Sequence, residues 1–361
     1  MDIVFLGLSI TSSWGNGHAT TYRGLVRELS RRGHRVLFLE RDQPWYAENR
    51  DMPKPPHGHT ELYGSVEELK ERFAERIHGA DLVIVGSYVP DGIEVGRWVT
   101  AAAAGVTAFY DIDTPVTLAR LRRGDCEYLS RDLVPGYDLY LSFTGGPVLA
   151  QIERDLGARA ARALYCSVDP EMYGPQTCER RWDMGYLGTY SDDRQPALTA
   201  LMLDAARAWP EGRFVVAGPQ YPKTIEWPAN VERIEHLSPR EHAAFYNAQR
   251  FTLNVTRADM VRAGWSPSVR LFEAAACGTA IVSDVWPGIE SIFRPGAEIL
   301  LARDTADALR FLRKLPEAER EMVGQRARER VLREHTAAHR ALEIEEHVEG
   351  IRSAVGLRKS G

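Results

Sequence analysis

The chain has 361 residues, 44% hydrophobic and 26% charged, with 30 Gly, 20 Pro and a net charge of −5. That composition is globular and excludes collagen-like, mucin-like and wholly disordered chains, and the length suits two domains. The acidic balance argues against non-specific nucleic-acid binding, whose affinity comes from neutralising phosphates with Lys and Arg.

In chain order, the apolar run 3–8 is followed by Tyr22, Leu25, Val26 and Leu29 at helical spacing, up to Gly33 as a helix stop. This pattern predicts strand, glycine-containing turn and helix. Runs 35–39, 81–86, 106–110 and 138–143 repeat the theme, and continuous apolar strands separated by helices predict a parallel sheet covered on both faces. Residues 44–60 carry four prolines and read as a surface loop. After the connector 167–181 the alternation restarts with runs 184–188, 213–218, 251–255, 279–283 and 298–301. Two α/β domains are expected, 1–166 and 167–337. The tail 338–357 sets Ile344, Val348, Ile351 and Val355 on one helical stripe, which either packs back on the first domain or lies on its own.

The cysteines, Cys126, Cys166, Cys178 and Cys277, form no C-x-x-C pair and no zinc-type spacing with histidine. No apolar segment nears the ~20 residues that span a bilayer. The opening MDIVFLGLSI reads as a strand rather than a leader, so a reducing cytoplasm is the expected compartment.

The first strand-to-helix turn contains Trp14, Gly15, Asn16, Gly17 and His18. Glycines there let backbone amides approach an anion at a helix N-terminus, although the same turn also serves a plain capping role. His18 falls at the carboxyl edge of the sheet, where open α/β folds bind ligands. The third glycine of a dinucleotide fingerprint is missing. Glu40 nevertheless ends the second strand where a ribose ligand would stand, which keeps an NAD enzyme as a rival. Asp111 and Asp113 follow the strand 106–110. They can cap the helix begun by Thr114-Pro115, act as an acceptor base, or ligate a divalent metal.

The richest block is 254–280. Ser266-Pro267 predicts a helix start and Gly278 its stop, with an almost wholly apolar helix between. Within it Arg270 and Glu273 share one face. A buried carboxylate needs a partner, which is either Arg270 itself or a bound diol such as a ribose. Arg257, Arg270, Ser268 and the helix N-terminus would suit a diphosphate. Gly188, Thr189 and Arg194 form a second strand-to-helix turn with phosphate-binding character. His236 and Leu237 precede a Ser-Pro helix start, where backbone groups can read a nucleobase.

These motifs resemble a known family. The segment 267–290 (PSVRLFEAAACGTAIVSDVWPGIE) is similar to the donor-site signature of GT-B glycosyltransferases. With SSWGNGHATTYRGLVREL and LERDQPWY, the whole chain resembles the spore-maturation CgeB-like glycosyltransferase group. The resemblance implies two Rossmann-like domains facing across a cleft, a nucleotide-sugar held mainly by the C-terminal one, and no catalytic metal. Glu273 would then bind the donor ribose, with Arg257, Arg270 and the Gly188–Thr189 turn on the diphosphate and His18 lining the reaction centre. Retaining relatives often carry a second Glu where this chain has Trp265, which leaves the anomeric outcome open.

The expected activity is metal-independent transfer of a sugar from a UDP-, GDP- or dTDP-sugar, used as co-substrate with no other cofactor, to an unidentified acceptor. His18, Asp111 and Asp113 are the candidate catalytic residues. An epimerase of the same fold and a non-catalytic sugar-nucleotide-binding protein are the rivals.

Overall fold

The computed structural model describes residues 1–14 and 17–355. Gly15, Asn16 and the last residues of the tail segment 338–357 lie outside that set. The chain divides into two compact units, Met1–Cys166 joined by the segment from Ala337, and Ser167–Thr336.

The first unit holds seven strands: β1 Asp2–Gly7, β2 Arg35–Arg41, β3 His59–Tyr63, β4 Leu82–Gly86, β5 Val106–Asp111, β6 Leu139–Ser142 and β7 Ala161–Ala163. They pair in parallel in the order β3-β2-β1-β4-β5-β6-β7. The central strands are buried residue after residue, because helices cover both faces of a parallel sheet. In register, Phe5 lies beside Phe38 of β2 and Ile84 of β4. The ring of Tyr22, from the helix His18–Arg31, meets Phe38 edge-on at 5.0 Å. The C-terminal helix Ala337–Val355 buries Ala341, Ile344 and Val348 in this same core.

The second unit holds β8 Trp182–Leu187, β9 Phe214–Ala217, β10 Val231–Ile234, β11 Gln249–Asn254, β12 Ala280–Ser283 and β13 Leu300–Leu301. All pairs are again parallel, in the order β10-β9-β8-β11-β12-β13.

Two local expectations are corrected. Residues 44–60 are not all loop: Pro44–Ala47 is a short helix, and His59 opens β3. β3 is an edge strand, half exposed, so it lacks the continuous apolar run that marks its neighbours. The helix foreseen from Ser266 starts later, as Val269–Ala276 with Ser268 at its N-cap. Gly264 and Trp265 both have positive φ, 65° and 43°, and the Trp265 amide donates to Pro287 O at 2.7 Å, so this stretch is a turn.

Candidate functional site

In each sheet the strand order reverses direction between two neighbours, β1 and β4 in the first and β8 and β11 in the second. Open α/β sheets bind ligands outside the carboxyl ends of such strands.

In the second unit these ends are Leu187 and Asn254. Arg270, in the first turn of the helix Val269–Ala276, joins them. Its Nε donates to Leu187 O, its Nη1 to Asn254 Oδ1 at 3.2 Å, and its guanidinium lies 5.0 Å from the Tyr186 ring centroid. Asn254 also accepts from Ser268 Oγ at 2.8 Å, which ties the helix N-terminus to β11. Gly188 is required beside this guanidinium: a Cβ there would lie 2.6 Å from Tyr186 Oη and 2.9 Å from Arg270 Nη2.

Arg194 reaches back to donate from Nη2 to Thr189 O at 2.7 Å. Its Nε is buried and makes no hydrogen bond among the described residues. Burial, and then the charges of Arg270 and Arg257, pull the Arg194 pKa down. Arg257 lies 3.8 Å from Asp193. Among the described residues neither Arg194 nor Arg270 forms an ion pair. Three guanidiniums thus crowd the end of β8 with little carboxylate to balance them, an arrangement that attracts an anion with several oxygens.

Glu273 lies on the same helix, buried to 6% exposure. The expected alternative of a mutual pair with Arg270 is not what the structure contains. Tyr246 Oη donates to Glu273 Oε2 at 3.0 Å. The hydroxyl of Tyr173 also bonds to Glu273, and burial together with that carboxylate pushes the Tyr173 pKa up. His242 spans from Tyr173 Oη, at 3.4 Å, to Leu237 O, at 3.3 Å. Leu237 is therefore linked to the Glu273 pocket through His242. His236 is exposed in the loop after β10, the edge strand of the sheet.

In the first unit, Glu40 is not available to a ribose. It is wholly buried, and its carboxylate accepts from the amides of Ile10 (2.7 Å) and Thr11 (3.0 Å) and from the hydroxyls of Ser9 (3.0 Å) and Thr11 (2.6 Å). Its work is to shape the loop after β1.

Asp111, another of the candidate bases, points into the sheet. Its side chain is fully buried, with Oδ1 accepting from Thr117 Oγ1 at 2.6 Å and Oδ2 from Tyr140 Oη at 2.5 Å. Burial raises its pKa to about 6. Asp113 is half-buried and accepts from Tyr88 Oη at 2.9 Å. The His18 ring meets Tyr88 edge-on at 5.5 Å, and burial depresses the imidazole pKa to about 4, so the ring is neutral at pH 7. The structure therefore gathers His18 and Asp113 around Tyr88 and turns Asp111 inward. Gly17 is the N-cap of the His18–Arg31 helix. Gly15 and Asn16, singled out in the sequence, lie outside the described residues.

Nothing in the sequence singles out Tyr88, around which His18 and Asp113 gather. It follows β4 with φ +63°, a conformation that costs a non-glycine residue energy and that occurs preferentially at functional sites. Tyr246 left no local signal either. Among the described residues, no group of three or more His, Cys, Asp or Glu side chains could share a metal ion, and no helix is long and apolar enough to cross a membrane. A cavity of about 330 Å³ lined by Ser30, His34, Arg35 and His59 opens at the amino ends of β2 and β3, away from these residues.

Residues 194–346 match the model of a glycosyl transferase-like family, a span that includes Arg194, Arg257, Arg270 and Glu273. The fold is similar to that of sucrose-phosphate synthase from Thermosynechococcus elongatus, with TM-score 0.69 and 15% identity over 98% of this chain and 100% of that one. It is similar to Anabaena HepE in complex with UDP and glucose (TM-score 0.72, 14% identity, 97% and 100% covered). An alpha-glucosyltransferase in complex with UDP is also similar (TM-score 0.69, 11% identity, 96% and 99% covered). No curated protein sequence matches the chain. Residues 194–346 thus match a glycosyl transferase-like domain, and the two-sheet fold is the GT-B architecture shared with these structures.

Proposed function

We propose that the second unit binds the nucleoside diphosphate of a sugar donor, with Arg194, Arg257 and Arg270 on the diphosphate and Glu273 on the ribose. The observation that carries this reading is the half-buried Arg194, whose buried Nε has no hydrogen-bond partner among the described residues, beside Arg270, which no carboxylate pairs, both at the carboxyl end of β8. As the sugar–phosphate bond breaks, negative charge grows on the leaving diphosphate. Guanidiniums fixed beforehand by Leu187, Asn254 and Thr189 stabilise that charge without reorganising. Complexes of similar folds with UDP support a UDP-type donor, while GDP and dTDP donors remain alternatives in the test.

On the acceptor side, Asp113 and His18 of the first unit are the proposed reacting-centre residues. With its pKa near 4, His18 is a weak base, which favours Asp113 for proton removal and a neutral hydrogen-bonding role for His18. The motifs in 12–29, 39–46 and 267–290 support placement in the CgeB-like group. Thermal unfolding with UDP, GDP, dTDP, ADP and NAD tests the donor assignment. A ligand at 100 times its dissociation constant adds about 2.7 kcal/mol of stability. Stabilisation by a pyrimidine or guanine diphosphate supports it, and stabilisation by NAD alone overturns it.

A further inference from the structure

Trp14 and Trp45 are 45% and 59% exposed, the largest apolar side chains so exposed among the described residues. Their ring centroids are 4.6 Å apart at 69°, so the two indoles form a single angular patch rather than scattered surface residues. Trp14 follows β1, and Trp45, on the short helix Pro44–Ala47, follows β2, which places both at the carboxyl edge of the first sheet.

The segments that bear them are fixed to each other independently of the rings. Ser12 Oγ donates to Asn49 O at 2.7 Å, the Met52 amide to Thr11 O at 3.0 Å, and the Ser13 amide to Asp51 Oδ1 at 2.7 Å. Arg23 grips Asp51 with two bonds of 2.9 Å, and Asn49 Nδ2 holds Trp45 O at 2.9 Å. Beneath them, buried Glu40 organises residues 9–11. The exposed indoles are thus held in place by the backbone on both sides, and covering them on binding costs little further ordering of the chain.

The rim decides what covers them. Around the indoles stand the pairs Arg23–Asp51 and Arg50–Asp42, with Glu48 exposed nearby. Both signs alternate over a short distance, and the chain's net charge is −5. An anionic membrane would ask for a basic rim, and an obligate protein interface for a wider apolar area. A sugar ring has an apolar C–H face and a girdle of hydroxyls, which fit an aromatic floor bordered by carboxylate and guanidinium groups.

We propose that Trp14 and Trp45 form a saccharide-binding platform, so that the acceptor of the proposed transfer is a carbohydrate whose sugar ring stacks on these indoles. This assignment rests on the glycosyl-transfer reading, but its test does not. Titrate the full chain with maltotriose, cellotriose and N,N′,N″-triacetylchitotriose, following intrinsic tryptophan fluorescence and heat of binding, and titrate UDP separately. At least one saccharide is expected to bind in the wild type. Trp45→Ala and Trp14→Ala should each weaken it by ~10-fold, and Trp45→Phe should restore most of it, with UDP affinity and melting temperature unchanged. Equal saccharide affinity in both alanine variants, no saccharide binding at all, or a fluorescence response confined to phosphatidylglycerol vesicles would each overturn the platform. Failure of UDP to bind would instead remove the donor assignment and leave the saccharide result standing.

Discussion

Tyr246 donates a 3.0 Å hydrogen bond to Glu273 Oε2, so the buried carboxylate of the helix Val269–Ala276 is held by neutral hydroxyls rather than by Arg270 one turn away. The guanidinium and the carboxylate are therefore not paired with each other, as the proposed division of diphosphate and ribose between them requires. Glu273→Ala is expected to weaken UDP binding by about 1–3 kcal/mol, because charge-assisted bonds to a diol are lost. Tyr246→Phe should lower folding stability by about 1–2 kcal/mol, since it removes a donor from a buried acid. Calorimetric titration checks the first and urea unfolding the second.

The arginines should act on affinity without a need for metal. Arg194→Ala and Arg270→Ala are each expected to raise the UDP dissociation constant by roughly 10- to 100-fold. Arg270→Lys should not restore it, because an ammonium cannot reach Leu187 O and Asn254 Oδ1 together. Gly188→Ala should mimic the arginine losses by displacing Arg270 Nη2. Donor turnover in excess EDTA should match that in Mn²⁺, and a loss restored by Mn²⁺ would shift the diphosphate from guanidiniums to a cation.

His18 predicts a pH dependence of stability with a definite sign. Its folded pKa is about 4 against an ordinary value of 6.5, so between these values the unfolded chain binds more protons than the folded one. Its contribution is fully present above pH 6.5 and is lost as pH falls towards 4. Asp111, raised to about 6, works in the opposite sense: it holds its proton in the folded state and favours folding at the acid end of its window. His18→Gln should therefore unfold at a temperature that falls less between pH 6.5 and 4.5 than the wild type's. Parallel melting curves for the two proteins would show that burial does not hold the imidazole neutral.

Glu40→Ala is expected to destabilise the first unit by about 2–4 kcal/mol, because two amides and two hydroxyls lose their acceptor together. NAD should give no thermal stabilisation of the wild type. A dinucleotide effect that disappears in Glu40→Ala would restore the ribose role to this residue.

Much of this architecture is written in local pattern. Continuous apolar runs alternating with helical spacing specify two parallel sheets, because strands covered on both faces need no polar side. The almost wholly apolar helix around Arg270 and Glu273 announces that those two charges require partners. What the pattern could not contain is who the partners are. Leu187 is 83 residues from Arg270 and Tyr246 is 27 from Glu273, brought close only when the crossovers align β8 with β11. Glu40 and Asp111 look in the sequence like ligands at strand ends, yet each turns inward to bond groups that the neighbouring strands and loops deliver. Nor does any residue type encode the positive φ of Tyr88 that sets its ring between His18 and Asp113. Periodicity reports which face of an element is buried, whereas hydrogen-bond partners and backbone strain are settled by packing between elements distant in the chain.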